Sequence, residues 1–168
     1  MSQVSISPGG SPIPAGDTIT VDQETIVGAG TPHSPLRATS GGISAPLHAT
    51  LVVGTPVYTK PDEELYPGDA QVLGRALLVG LLIVAGQSGA TGRTIATGLV
   101  TLTVAEWDAV AGTTGGLVPG AVYYLSATSG KLTGTPPAVH GQYVVQVGVA
   151  IAATKLLVAL PATPIVVP

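Results

Sequence analysis

The chain has no cysteine. Disulfides, cysteine-based zinc sites and thiol nucleophiles are thereby excluded, and nothing in the sequence marks a redox compartment. Charge is scarce as well. Asp, Glu, Lys and Arg make up 9% of the 168 residues, against about 25% in an ordinary soluble domain. Six Lys and Arg stand against nine Asp and Glu, for a net charge of −3. No basic stripe exists to neutralise phosphates, so nucleic acid is not an expected partner. Residues Met1–Gly16 lack a basic stretch followed by an apolar one, and no secretory leader is expected. The longest apolar run, Ala76–Ala85, falls well short of the ~20 residues a membrane-spanning helix needs. It reads as a buried β-strand, and no membrane partner is expected.

What the chain does contain is apolar. Hydrophobic residues are 45% and mean hydropathy is +0.52, enough for a real core. A domain this poor in charge is expected to have part of its surface covered, which points to a homo-oligomer. The alternative is an Ala/Gly/Val-rich monomer kept in solution by Thr and Ser. Prolines at 8, 12, 14, 32, 35 and 46 forbid long helices and interrupt ladders in the first part of the chain. Only Thr18–Val21 and Glu24–Val27 look strand-like there. Residues 1–45 are therefore expected to be an extended arm that becomes ordered by laying strands against a neighbour. A loose tail is the other reading.

Residues 46–168 read as one β module. Strands are expected at Leu47–Val53, Pro56–Thr59, Gln71–Leu73, Arg75–Ala85 and Thr94–Thr103, the last broken at Gly98. Lys60–Asp69 reads as a polar loop and Gln87–Gly92 as a turn. Three further runs, Ala121–Leu125, Tyr143–Ile151 and Lys155–Leu160, are separated by Gly, Pro, Ser and Thr. Val104–Val110 alone is helical in character. Thr103 and Glu106 would form its capping box, and Trp107 would anchor it on the core. Ala111–Gly116 would end it.

The module also repeats itself. Tyr58 and Tyr124 stand 66 residues apart, Leu65 and Leu132 stand 67 apart, and Gly80 and Gly148 stand 68 apart, each in a similar setting. Two related units are inferred, packed as halves with the Trp107 segment between them. The fold class is all-β: a small antiparallel β-barrel or sandwich of two related halves with one short helix, preceded by the N-terminal arm.

No reaction suggests itself. Asp62, Glu63, Glu64 and Asp69 have oxygens for calcium but lack the alternating spacing of a calcium loop, and read as a solvated turn. Crowded on one loop, they do not face each other as glycosidase carboxylates must. His33, His48 and His140 are isolated in sequence. Ser88–Gly92 and Thr113–Gly116 are Gly-rich, but no Gly-Lys-Ser/Thr follows, so both read as hairpin loops. Tyr123, Tyr124 and Tyr143 could line up across strands, with packing as the default role. No catalytic, cofactor-binding or metal-binding residue is assigned, no cofactor is expected, and the protein is read as no enzyme.

One resemblance remains. Gly54–Tyr58, Leu73–Leu81, Gly98–Thr103 with Trp107–Val110, Leu117–Ser126 and Gly141–Ala150 resemble a recurrent module of tailed-bacteriophage virion proteins. A Pro/Gly-rich arm before a small β-domain is similar in layout to capsid decoration, or cement, proteins. That resemblance implies a homotrimer on the capsid surface of the virion, made in the host cytoplasm, with the arm bound to the major capsid protein. Residues Val21–Leu36 also resemble a strand–turn–strand element of tail fibres. A tail-fibre, collar or baseplate component, with a possible receptor-binding role, is therefore the alternative. A stand-alone carbohydrate- or ligand-binding β-module is the second.

Overall fold

A computed structural model describes residues 42–168, together with the backbone of two short strands, β1 (Ile26–Val27) and β2 (Arg37–Ala38). The chain forms two units, Met1–Thr39 and Ser40–Pro168. In the first, β1 and β2 pair antiparallel, with Ile26 opposite Ala38. The expected strand Thr18–Val21, the extended course of the arm and His33 lie outside the described residues.

The second unit is all-β apart from two short helices. Its first half contains β3 (Ser44–Pro46), β4 (Pro56–Thr59), β5 (Leu65–Pro67), a one-turn helix α1 (Leu73–Ala76), β6 (Gly80–Val84) and β7 (Thr91–Ile95). Its second half contains β8 (Thr97–Thr101), α2 (Val104–Ala111), β9 (Val122–Leu125), β10 (Leu132–Thr133), β11 (Tyr143–Val144), β12 (Gln146–Ala152), β13 (Lys155–Ala159) and β14 (Ile165–Val166). The domain boundary expected at residue 45 falls inside β3.

The two halves have one topology. The first sheet runs β3-β7-β6-β4-β5 and the second runs β8-β13-β12-β9-β10, antiparallel throughout. Setting aside β11, which pairs with β14, both orders are first, fifth, fourth, second, third. Irregularities recur too: the register shifts between Leu82 and Val84 on β6 and between Ala150 and Ala152 on β12. The repeat seen in the sequence is therefore a repeat of structure.

The halves close differently. Leu47, directly after β3, forms a parallel bridge with Leu65 on β5. That joins the two edges of the first sheet, and the His48 amide donates to the Leu65 carbonyl at 3.1 Å. Leu47, Val57, Leu65 and Leu82, all at 0% exposure, fill the small barrel so made. In the second half α2 packs against β10 instead. The main core spans both halves, from Leu81 and Ile95 through Trp107 and Val110 to Tyr123, Val147, Leu156 and Val158. Helix α2 starts where its capping box predicts. Thr103 Oγ1 accepts from the Glu106 amide while Glu106 Oε2 accepts from the Thr103 amide, and Gly112 ends the helix at φ 64.

Several elements differ from expectation. Gln71–Leu73 is not a strand: α1 begins at Leu73, and the next strand begins only at Gly80. The reason is Asp69, which accepts from the Gln71 amide at 3.0 Å and pairs with Arg75 at 3.0 Å, holding the segment in a turn. Leu47–Val53 makes only single bridges, because Leu47 and Leu51 meet different partners, Leu65 and Gly86. The polar loop Lys60–Asp69 hides β5, whose Leu65 and Tyr66 are buried. Strand β7 begins inside the expected turn Gln87–Gly92, and the break before β8 falls at Ala96, leaving Gly98 paired with Val158. Val145 divides Tyr143–Ile151 between two sheets.

Candidate functional site

The densest group of polar side chains surrounds Tyr66 on β5. Its hydroxyl donates to Asp62 Oδ2 at 2.6 Å. His48 stacks on its ring at a centroid distance of 4.0 Å, and His48 Nδ1 lies 2.7 Å from Glu64 Oε2. The Lys60 ammonium sits 3.8 Å from the ring centroid, and Tyr58 packs beside it at 5.6 Å. The Tyr66 hydroxyl holds the Asp62 carboxyl below the usual carboxylate range, and burial opposes this; the Glu64 amide and the charges of Lys60 and His48 act in the same direction as Tyr66. Asp62 in turn pushes the Tyr66 phenol up. A phenol that donates to a carboxylate stays protonated, and a ring covered by imidazole and ammonium offers no open face. The cluster works as a brace: its residues flank the Leu47–Leu65 bridge that closes the barrel.

The structure separates carboxylates that are neighbours in sequence. Asp62 and Glu64 belong to this brace and Glu63 is exposed, whereas Asp69 is buried and bound to Arg75. Beyond Asp69 the chain docks on the β9–β10 hairpin: Ala70 donates to Ser126 at 2.9 Å and Gln71 Nε2 to Ala127 at 2.8 Å. Among the described residues no three His, Asp or Glu side chains converge to hold a metal. His48 meets one carboxylate, and His140 is exposed in a turn.

Of the two Gly-rich loops, Ser88–Gly92 is at the β6–β7 hairpin as expected, tied down by Ser88 Oγ donating to the His48 carbonyl at 2.9 Å. Thr113–Gly116 is no hairpin. It follows α2 and wraps around Asp108, whose carboxylate accepts from Thr113 Oγ1 at 2.8 Å, the Gly115 amide at 3.1 Å and the Gly116 amide at 2.7 Å. The Gly115 and Gly116 amides that such a loop would offer a phosphate are already donated within the chain. These bonds hold the Asp108 carboxyl below its ordinary range, the Thr113 hydroxyl most of all. Tyr123 is buried and its hydroxyl accepts from the Val118 amide at 3.0 Å. The aromatic stack is formed by Tyr58, Tyr66 and His48 rather than by Tyr123, Tyr124 and Tyr143. The sequence signal for it is short-range spacing: Glu64, just before β5, stands two residues from Tyr66 on that strand, and polar flanks conceal the strand.

A groove of about 530 Å³ opens between α1 and the end of β13, lined by Leu77, Val79, Val145, Leu160 and Pro161. It is apolar and brings no ionisable groups together. Apolar exposure is wider on the outer face of the second sheet. There Leu99, Leu157 and Val149 stand side by side with Val122, and Leu99 and Leu157 are 46% and 48% exposed. Ile151 on the same strand as Val149 is 53% exposed, and Ile165 on β14 is 69% exposed. Among the described residues no helix is long and apolar enough to cross a membrane. Neither a family model nor a curated protein sequence matches the chain.

Proposed function

We propose that this chain is a non-catalytic structural protein of a phage virion, a capsid decoration protein that binds the outer surface of the head and bridges capsomers as a homotrimer. The observation that carries this reading is the apolar outer face of the second sheet. Each Å² of such surface removed from water contributes about 25 cal/mol, and a shell multiplies that over every copy. The phage assignment itself rests on the sequence resemblance. The residues before Ser40 would supply main-chain pairing to the major capsid protein.

Counting copies tests it. Purified virions resolved on a gel should show this protein at a copy number comparable to that of the major capsid protein. A handful of copies per particle would refute decoration and favour a tail-fibre, collar or baseplate position. The β1–β2 hairpin, which overlaps the tail-fibre-like stretch Val21–Leu36, is the observation on the side of that second reading. A carbohydrate-binding module finds less support: the ring at the centre of the aromatic cluster, Tyr66, is 8% exposed beneath His48 and Lys60.

A further inference from the structure

We infer that β8 is a self-pairing edge, where two copies of this chain join antiparallel about Leu99 into one continuous sheet. The inference goes beyond the virion reading and does not depend on it. It starts from hydrogen-bond parity. β8 pairs with β13 from Thr97 opposite Ala159 to Thr101 opposite Lys155. Just past the strand ends, Leu102 donates to Thr154 at 3.0 Å and Leu160 donates to Ala96 at 3.3 Å. Bonded and unbonded pairs alternate in an antiparallel ladder, so Gly98 and Val100 are the β8 residues bonded to β13. Thr97, Leu99 and Thr101 therefore turn their N–H and C=O groups toward the open edge of the sheet. All three residues are exposed, and among the described residues no strand lies on that side of β8.

Proteins guard such edges with proline, charge or covering chain. The corresponding strand of the first half, β3, ends in Pro46 and leads directly into the bridge that closes the barrel. β8, Thr-Gly-Leu-Val-Thr, carries neither proline nor charge, and no described segment covers it. At 5 residues it is also the longest edge strand of the two large sheets, against 3 for β3, 3 for β5 and 2 for β10. The strand is close to symmetric about its centre. Turned end for end, Thr97 meets Thr101 of the second copy and Leu99 meets its own equivalent, so one patch is its own complement, as a two-fold contact requires. Each of these pairs would exchange two N–H···O bonds.

The side chains agree with this register. The apolar row Val122–Val149–Leu157–Leu99, half-buried at the valines and exposed at the leucines, would continue through the axis into the same row of the second copy, covering Leu99. Lys155 is the one ionisable residue of β8 and β13. It stands at the Thr101 end, so the two ammonium groups would be offset by about 13 Å along the strand direction alone. That exceeds the Debye length of about 10 Å at 0.1 M salt.

Introduced cysteines test the register, because the chain has none of its own. Leu99→Cys places two thiols on a bonded pair about 5.5 Å apart at Cα, within disulfide range. On mild oxidation of the full chain it should form a disulfide dimer on a non-reducing gel. Thr97→Cys alone should not, its copies being about 13 Å apart, whereas Thr97→Cys mixed with Thr101→Cys should. Any other pattern overturns the proposal: equal cross-linking of all variants means collision, and none means that the edge is unpaired or takes a different chain. Leu99→Lys, which sets two ammonium groups at the axis, should halve the particle mass in sedimentation with the circular dichroism unchanged. An unaltered mass would also overturn it.

Discussion

Gly54 and Gly120 occupy the same place in the two halves: both have φ 82, and their amides donate to Leu82 and Ala150 at 2.7 Å. The return bonds match as well, Leu82 to Thr55 and Ala150 to Ala121, both at 2.9 Å. Surroundings differ. A Cβ on Gly54 would come within 3.0 Å of Leu102 and 3.6 Å of the Trp107 ring, whereas one on Gly120 meets nothing. Gly120→Ala should cost only the left-handed backbone penalty, about 1–2 kcal/mol. Gly54→Ala adds overpacking of about 1–3 kcal/mol. Urea denaturation of the two variants should rank them in that order.

Trp107 is completely buried, and its indole N–H has no hydrogen-bond partner among the described residues. Trp107→Ala should destabilise by about 3–5 kcal/mol through the cavity it leaves. Trp107→Phe keeps an aromatic ring and removes the unpaired donor, so it should lose less than half as much. Equal losses in denaturant titrations would mean that the N–H is satisfied after all.

Asp108 ties the Thr113–Gly116 loop to α2, and its carboxyl titrates below the ordinary 3.8. A carboxylate with a depressed folded-state pKa stabilises the protein above its unfolded value. That contribution disappears as pH falls through the folded value. The melting temperature should therefore drop as pH is taken below about 4, and Asp108→Asn should flatten part of that decline. An identical pH profile for the variant would show that the loop bonds do not depend on the charge.

The Tyr66 hydroxyl is the largest influence on Asp62. Tyr66→Phe should return the Asp62 pKa toward the ordinary 3.8, read from its carboxyl carbon shift in an NMR titration. No movement would mean that Lys60 and the Glu64 amide suffice.

Residues Met1–Thr39 and Ser40–Pro168 are two compact units. Deletion of the first should leave the melting temperature of the remainder nearly unchanged. A deletion extended through Leu47 removes β3 and the bridge to Leu65, opens the first barrel and should abolish cooperative melting.

What could be read along the chain was what lies within a few residues of itself, or what recurs. The Thr103–Glu106 box begins α2 because a cap is a contact between near neighbours. The 66–68 residue echo announced two like halves because the same turns and inward positions are needed twice. Decided only in three dimensions was everything that depends on which distant strand lies alongside. Asp69 bends Gln71–Ala76 out of the β conformation its residues favour, and Tyr66 gathers His48 from the bend after β3. β3 finds β5 to close one barrel while β8, its counterpart, has no partner on its outer edge among the described residues. Those outcomes rest on hydrogen bonds and packing between residues far apart in sequence, for which no local pattern is a substitute.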